Sequence, residues 1–219
     1  MNDLNIAGGK IMIKKYTILL MIITSSLLYG GELKEAVFAG GCFWSMEKSF
    51  EKIEGVETVI SGYVGDSIPD PNDKNYGKGE DIEVIQITYD PSIISYEKLL
   101  KVYWKQIDPT DGGGQFVDRG HEYTTAIFYS DSEQKQAAIS SKMDLETRGV
   151  YKKSIVTPIL EVAKFYPAKK YHQDYSKRNP LKYKYSRNKS GRDKFLDEIW
   201  GKDRKDIGVR ELKNKLTDL

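Results

Sequence analysis

The sequence has very little cysteine and histidine. Its 219 residues include one cysteine, Cys42, and two histidines, His121 and His172. A single thiol excludes an internal disulfide, a CxxC redox pair and a cysteine-rich zinc site. Two histidines leave few ligands for a histidine-based metal centre, so we expect no bound metal. Any thiol chemistry of this chain must therefore depend on Cys42.

The chain also lacks a strong net charge. The 34 Lys and Arg residues nearly balance the 32 Asp and Glu residues, and the formal net charge is +2. The exception is the segment 164–194, which is basic and rich in tyrosine. That segment could form a nucleic-acid surface that uses charge and stacking, or a wrapping extension with packed tyrosines and solvated lysines. We favour the extension, because the rest of the chain cancels the charge, and we expect no nucleic-acid partner.

No apolar run in the sequence is long enough to span a bilayer comfortably, which takes about 20 residues. The uncharged run Tyr16–Leu28 follows Lys14 and Lys15, and a basic start before a short apolar stretch is typical of a secretory signal. We therefore expect a signal peptide over 1–31, with Met12 as an alternative start, a folded domain over 32–201 and a polar tail over 202–219. The expected location is the periplasm; the alternatives are the cytoplasm or a membrane tether through an uncleaved N-terminal segment.

Strand and helix patterns alternate through the rest of the chain, and 39% hydrophobic residues are enough for a core. The pattern predicts an α+β fold, a two-layer α/β sandwich with a mixed, mostly antiparallel sheet and an irregular C-terminal extension. Strands are predicted over Glu35–Ala39, Val56–Tyr63, Glu83–Tyr89, Thr124–Tyr129 and Ile155–Ala163. Helices are predicted from Phe43 towards Gly55, after Ser95, after a capping box at Ser130 and Glu133, and over Arg192–Trp200.

Cys42 lies where a predicted strand ends in Gly40-Gly41 and a helix begins. Unpaired N–H groups and the helix dipole favour an anion at such a place, so we expect a lowered pKa and a thiolate at neutral pH. Phe43 and Trp44 follow directly, and aromatic faces beside a sulfur suit a small, partly apolar group such as an S-methyl. The alternative is a buried structural cysteine, since unpaired cysteine is among the most buried residues.

The segment around Cys42 resembles the active-site signature of the A-type peptide methionine sulfoxide reductases. The similarity extends in register from about Glu35 to Trp200, so it covers the whole predicted domain. The matching segments are Phe38–Trp44, Ser61–Tyr63, Glu83-Val84, Tyr89–Pro91, Ile107–Thr110, Asp118–Ile127, Phe165–Ala168 and Tyr171–Tyr175.

This resemblance implies the reaction and its catalytic residues. Cys42 corresponds to the cysteine that attacks the sulfoxide sulfur and becomes a sulfenic acid. Glu83 corresponds to a buried acid that protonates the departing oxygen, because burial raises the pKa of a carboxyl group. Tyr123 corresponds to a tyrosine that polarises the same oxygen. The implied substrate is the S epimer of methionine sulfoxide, in proteins or as the free amino acid.

The resemblance also implies a substrate pocket without a metal or organic cofactor. Phe43 and Trp44 would hold the substrate methyl group, and Asp118 would shape the pocket. The family has a second tyrosine in a Pro-x-Tyr stretch, where this chain carries Asp73. Tyr76, three residues further on, is the expected replacement.

Many relatives carry further cysteines that trap the sulfenic acid as a disulfide, and this chain has none. An external thiol must then reduce Cys42, and we expect a small thiol or a thioredoxin- or glutaredoxin-like protein. We expect a monomer without a stable membrane partner.

Two other classes of function remain open at this point. One is a different cysteine enzyme, either a thiol peroxidase or an acyl transferase with His121 as base. The other is an exported binding module without catalysis. For His172 we expect a structural hydrogen bond with Asp174 rather than a metal ligand.

Overall fold

The computed structural model describes residues 32–65 and 81–204. The predicted signal peptide, Tyr76 and most of the predicted tail lie outside these residues. The strands are β1 (Lys34–Gly40), β2 (Val56–Val64), β3 (Ile82–Tyr89), β4 (Gly114–Gln115), β5 (Asp118–Arg119), β6 (Thr125–Tyr129), β7 (Ile159–Glu161) and β8 (Phe165–Pro167). The helices are α1 (Phe43–Phe50), α2 (Tyr96–Trp104), α3 (Ser132–Thr147), α4 (Tyr175–Arg178), α5 (Pro180–Lys189) and α6 (Arg192–Trp200), with 3₁₀ turns at His121–Tyr123 and Gly201–Arg204.

Six of the strands form one sheet in the order β7-β6-β1-β3-β2-β8. Neighbouring strands are antiparallel except β6 and β7, which are parallel. The sheet is therefore mixed and mostly antiparallel, and the predicted α+β class is confirmed. β1 is a central strand, so its last residue, Gly40, delivers the chain to Cys42 from the middle of the sheet.

The main core lies between the sheet and the helices. Alternate residues of β1 and β3, such as Phe38, Ile85 and Ile87, are fully buried there against Leu99 and Leu100 of α2. The period of two in a strand places the intervening residues on the other face of the sheet, where a smaller apolar cluster includes Val37 and Val84. This second cluster has few members, so the helices lie mainly on one face, as in a two-layer sandwich.

Two predictions about α3 and the strand after it are wrong in detail. The N-cap of α3 is Asp131, whose carboxylate accepts the Gln134 N–H at 2.8 Å, and not Ser130. Only Ile159–Glu161 of the predicted strand Ile155–Ala163 pairs with the sheet. A strand requires a partner along its length, and β6 offers a parallel partner to those three residues alone.

The C-terminal extension is mostly helical, whereas the sequence predicts an irregular chain. It contributes β8 to the edge of the sheet and then forms α4, α5 and α6. Leu196 of α6 is fully buried and Trp200 is 9% exposed, so this helix belongs to the main core. The extension does wrap the domain as predicted, and the last 3₁₀ turn continues to Arg204.

Within residues 32–65 and 81–204, no helix is both long and apolar enough to cross a membrane. The domain boundaries predicted at residues 31 and 201 stay predictions.

Candidate active site

The turn between β1 and α1 places Cys42 at the start of the helix. Cys42 is the N-cap residue of α1 and is partly exposed. Gly41 has φ +77°, and a Cβ at this position would lie 2.5 Å from Cβ of Gln115 and 2.9 Å from Nη2 of Arg192. Only glycine fits this conformation and this close approach. The second glycine of Gly40-Gly41 is therefore required for the way the cysteine is presented.

Glu83 is the carboxyl group that meets this turn. It lies on β3, opposite Tyr63 of β2, and its Oε2 atom accepts the backbone N–H of Phe43 at 2.9 Å. Burial raises the pKa of Glu83 to about 8, although the Phe43 N–H opposes the shift. Glu83 therefore holds a proton at neutral pH, as expected for a buried acid next to Cys42.

The expected low pKa of the Cys42 thiol is wrong. Burial raises it to about 12, and the carboxyl groups of Glu83 and Asp118 raise it further, against the Trp44 N–H and the Arg192 guanidinium. The helix start offers less to an anion than its position suggests, since Glu83 already occupies the Phe43 N–H. In the substrate-free protein, Cys42 is thus a protonated thiol.

Asp118 and Tyr123 reach the same place from the next loop. Asp118 lies on β5, and Tyr123 lies on the 3₁₀ turn that follows. Burial raises the pKa of Asp118, and burial together with Glu83 and Cys42 raises the pKa of Tyr123 to about 12. Both groups are therefore electrostatically coupled to the thiol. The structure brings together Cys42, Glu83, Asp118 and Tyr123, whereas Tyr76 lies outside the described residues.

Phe43 and Trp44 occupy different surroundings. Phe43 is 1% exposed, and its ring packs edge-on against Tyr63 with centroids 5.6 Å apart. Trp44 is partly exposed and stacks on Tyr175, with ring centroids 3.6 Å apart and planes within 5°. Its indole Nε1 donates to Nδ1 of His172 at 3.2 Å. Trp44 therefore has a fixed orientation with one face covered.

The expected hydrogen bond between His172 and Asp174 is wrong. His172 accepts from Trp44, and the Asp174 carboxylate binds Lys177 at 2.8 Å. The other histidine, His121, is exposed at the start of the 3₁₀ turn. Among the described residues, the side chains that shift the pKa of Cys42 are Glu83, Asp118 and Arg192, so the structure gives no support to His121 as a base.

The sequence analysis missed Arg192. Arg192 is the first residue of α6 and is 1% exposed. In the sequence it counts only among the basic residues of the C-terminal extension. Its guanidinium donates to Gly40 O at 3.0 Å, directly before the Gly41-Cys42 turn. The apolar spacing of Phe195, Leu196, Ile199 and Trp200 indicates an inward face of this helix. Arg192 precedes Phe195 and Leu196 by three and four residues, so the same spacing places it on that inward face and could have identified it.

One group of side chains in the described residues could hold a metal ion. Glu47, Glu51 and Asp174 place one oxygen each within 4.8 Å of one another. Lys177 forms ion pairs with Glu51 at 3.1 Å and Asp174 at 2.8 Å. The ammonium group thus supplies positive charge to this cluster, which involves none of the residues around Cys42.

Comparison with known proteins identifies the family. The family model of peptide methionine sulfoxide reductase (PMSR) matches residues 34–204. "Peptide methionine sulfoxide reductase MsrA" of Halalkalibacterium halodurans is 51% identical over 172 residues, which are 78% of this chain and 98% of that protein. Methionine sulfoxide reductase A of Corynebacterium diphtheriae superposes with a TM-score of 0.59 and 27% identity over 68% of this chain and 76% of that one.

The fold is also that of the reduced form of Mxr1 from Saccharomyces cerevisiae, with a TM-score of 0.62 and 24% identity over 68% of this chain and 87% of that one. The family match spans most of the chain and includes every described residue that we placed around Cys42. The chain therefore belongs to the peptide methionine sulfoxide reductase family, which are oxidoreductases that reduce methionine sulfoxide.

Proposed function

We propose that this chain reduces methionine-(S)-S-oxide, in proteins or as the free amino acid, through the Cys42 sulfur with Glu83 as acid. The observation that carries this assignment is the geometry at the start of α1. There a carboxyl group that holds its proton, Glu83, accepts the backbone N–H of Phe43, the residue directly after the Cys42 thiol.

The first step moves the oxygen from substrate to enzyme. The Cys42 sulfur attacks the sulfoxide sulfur and loses its proton, while Glu83 gives its proton to the sulfoxide oxygen. The S–O bond of the substrate and the newly formed S–S bond then break, methionine leaves, and the hydroxyl group ends on the Cys42 sulfur as a sulfenic acid. Methionine sulfur gains two electrons, Cys42 sulfur loses two, and the thiol proton restores Glu83.

The neighbouring side chains fit this step. A proton on Glu83 draws electrons from the sulfoxide sulfur and makes it a better target for a nucleophile. Tyr123 keeps its phenolic proton at neutral pH, because its pKa is raised to about 12, and it can donate to the same oxygen. Trp44 presents its exposed part to the substrate methyl group, with Phe43 packed behind it, and Asp118 borders the pocket. Tyr76 is proposed as the second tyrosine.

The second step returns Cys42 to the thiol. An external thiol attacks the sulfenic sulfur, releases water and leaves a mixed disulfide. A second external thiol then releases Cys42 and forms the external disulfide. Because the chain has a single cysteine, both thiols must come from outside, and we propose a small thiol or a thioredoxin- or glutaredoxin-like protein.

An assay with resolved epimers tests the proposal. Purified protein receives the S or the R epimer of methionine sulfoxide with dithiothreitol, and methionine is quantified. We expect turnover of the S epimer, and none from a Cys42→Ser variant. Without reductant, one equivalent of methionine should form, and dimedone should label Cys42 by mass spectrometry. Equal rates on both epimers would contradict the pocket, and a Cys42→Ser variant with full turnover would contradict the nucleophile.

We also propose that the enzyme is exported to the periplasm. The support is the basic and apolar pattern of residues 14–28. Expression in a bacterium with and without residues 1–31, followed by fractionation, tests this. Cleaved protein in the periplasm is expected for the full chain, whereas uncleaved protein in the cytoplasm or membrane fraction would overturn the proposal.

A further inference from the structure

We propose that Arg192 is the positioning residue of this site. Its buried guanidinium holds the Gly40-Gly41 turn in place and supplies the positive charge that stabilises the Cys42 thiolate when the thiol loses its proton. The inference concerns the nucleophile of the proposed function, but its test reads the thiol directly.

The contacts of Arg192 concentrate on the backbone that carries Cys42. Nη1 and Nη2 both donate to Gly40 O at 3.0 Å, and Nη1 also donates to Gln106 O at 2.8 Å. Nη2 would lie 2.9 Å from a Cβ on Gly41. The guanidinium therefore lies directly against the turn, and it ties that turn to the end of α2.

The guanidinium of Arg192 forms no ion pair with a carboxylate of the described residues. Within residues 32–65 and 81–204, none of the ion pairs includes Arg192. Its guanidinium carbon lies 4.8 Å from the ring centroid of Phe116, and its other contacts are neutral oxygens and the Met46 sulfur. The Asp118 carboxyl group attracts this cation and opposes the lowering of the pKa of Arg192 by burial, but the two form no ion pair, and burial of a cation without a paired carboxylate is costly. A buried cation here is best explained by a negative charge that forms beside it during the reaction, on Cys42.

The other titratable groups around the thiol either disfavour the Cys42 thiolate or are uncharged. Glu83 from β3 and Asp118 from β5 disfavour a thiolate, and Tyr123 and Tyr183 keep their protons because the pKa of each is raised. Arg187 from α5 is a cation that acts on Arg192 itself and lowers its pKa by charge repulsion. Arg192 is thus the side chain that favours the Cys42 thiolate among the described residues.

Alkylation of Cys42 measures this effect. Iodoacetamide is neutral and reacts with the thiolate, so below the thiol pKa the logarithm of the rate rises with unit slope in pH. We expect Arg192→Gln to move this line to higher pH by about one unit, or about tenfold in rate at fixed pH. Arg192→Lys keeps the charge and should stay within about threefold of wild type.

Arg204→Gln is the matched control. Arg204 also stabilises the C-terminal helix, through ion pairs with Asp193 and Asp197, but it does not act on Cys42. Its alkylation line should coincide with that of the wild type. A purely structural role of Arg192 would give a loss of thermal stability in Arg192→Gln without displacement of the line.

A folded Arg192→Gln protein with the wild-type line would overturn the proposal. If that variant does not fold, the alkylation line of Arg192→Lys is the test. An Arg192→Lys line displaced by a full pH unit would overturn the proposal. Single-turnover methionine formation provides the second readout, with a drop of about tenfold in rate at unchanged substrate affinity. Absence of sulfoxide turnover in the wild type would refute the proposed function, while the alkylation result would still decide the role of Arg192.

Discussion

At the scale of single residues, the Cys42 thiol and the Glu83 carboxyl group each hold a proton more tightly than the same group does in water. Burial raises the pKa of Cys42 to about 12 and that of Glu83 to about 8. Both groups are neutral before the substrate arrives, so the site avoids two adjacent negative charges. In the proposed reaction, Glu83 gives its proton to the sulfoxide oxygen, and the Cys42 thiol then returns a proton to Glu83.

A first prediction concerns the acid. Glu83→Gln keeps an oxygen that can accept the Phe43 N–H but removes the proton donor, so single-turnover methionine formation should fall by about 100-fold or more. Quenched-flow measurement of methionine checks this. Glu133→Gln, a change at an exposed carboxylate, should leave the rate as it is. A Glu83→Gln rate within threefold of wild type would exclude Glu83 as the acid.

A second prediction concerns the thiol in the substrate-free protein. A raised pKa means that the thiolate fraction grows tenfold with each pH unit below about 12. The iodoacetamide alkylation rate should therefore increase from pH 6 to pH 9 without a plateau. An unperturbed cysteine, with a pKa of about 8.5, would level off near the top of this range. A plateau below pH 8 would mean a low-pKa cysteine, contrary to the structure.

At the scale of the elements, the turn from β1 into α1 determines how Cys42 is presented. β1 lies in the sheet between β3 and β6 and pairs with both. The hydroxyl group of Tyr103 in α2 donates to Ala39 O at 2.9 Å and to Ala126 O at 3.2 Å. The end of β1 is therefore fixed both by its neighbouring strands and by α2. The chain can then reverse within two glycines.

A third prediction tests this turn. Gly41→Ala should destabilise the protein by about 1–3 kcal/mol and reduce activity, because the Cβ adds both backbone strain at positive φ and a clash. Gly149→Ala is the matched control. Gly149 also has positive φ, +61°, but a Cβ there meets nothing within 4 Å. Urea unfolding should show the larger loss for Gly41→Ala, and equal losses would mean that the clash at Gly41 relaxes.

At the scale of the whole molecule, the C-terminal extension completes both the core and the site. β8 adds a strand to the sheet edge, α6 buries Leu196 and Trp200, and the same helix carries Arg192 to the Cys42 turn. Tyr175 and His172 from this extension fix the orientation of Trp44. One segment therefore contributes both to the core and to the surroundings of Cys42.

A fourth prediction compares two leucines in that extension. Leu196→Ala removes a fully buried side chain and should reduce the free energy of unfolding by about 2–5 kcal/mol. Leu181→Ala is the same substitution at a side chain that is 82% exposed, and its effect should stay within about 0.5 kcal/mol. Calorimetry or urea unfolding measures both. Similar effects would mean that α6 is not packed as described.

The α+β class and the strands and helices of the main sheet and core before the C-terminal extension could be predicted from the sequence. Local patterns carry this information: alternation of apolar residues marks β1 and β3, and Ser95 caps α2 as its position predicts, accepting the Lys98 N–H. The extension was harder to predict, because α4 and α5 have little apolar periodicity. Their basic residues give the same pattern whether they lie on a helix or an irregular chain.

The sequence by itself determined that this chain has one thiol, Cys42, on which the proposed nucleophile and external reductant depend, and that two glycines let the chain turn there. The tertiary structure decided the charge state of that nucleophile and its partners. A pKa depends on how much water and which charges surround a group in space, and Glu83 and Arg192 come from segments 40 or more residues away. The spacing within α6 places Arg192 on the inward face of that helix, but the position of both side chains beside Cys42 is a property of the packed sheet and of α6.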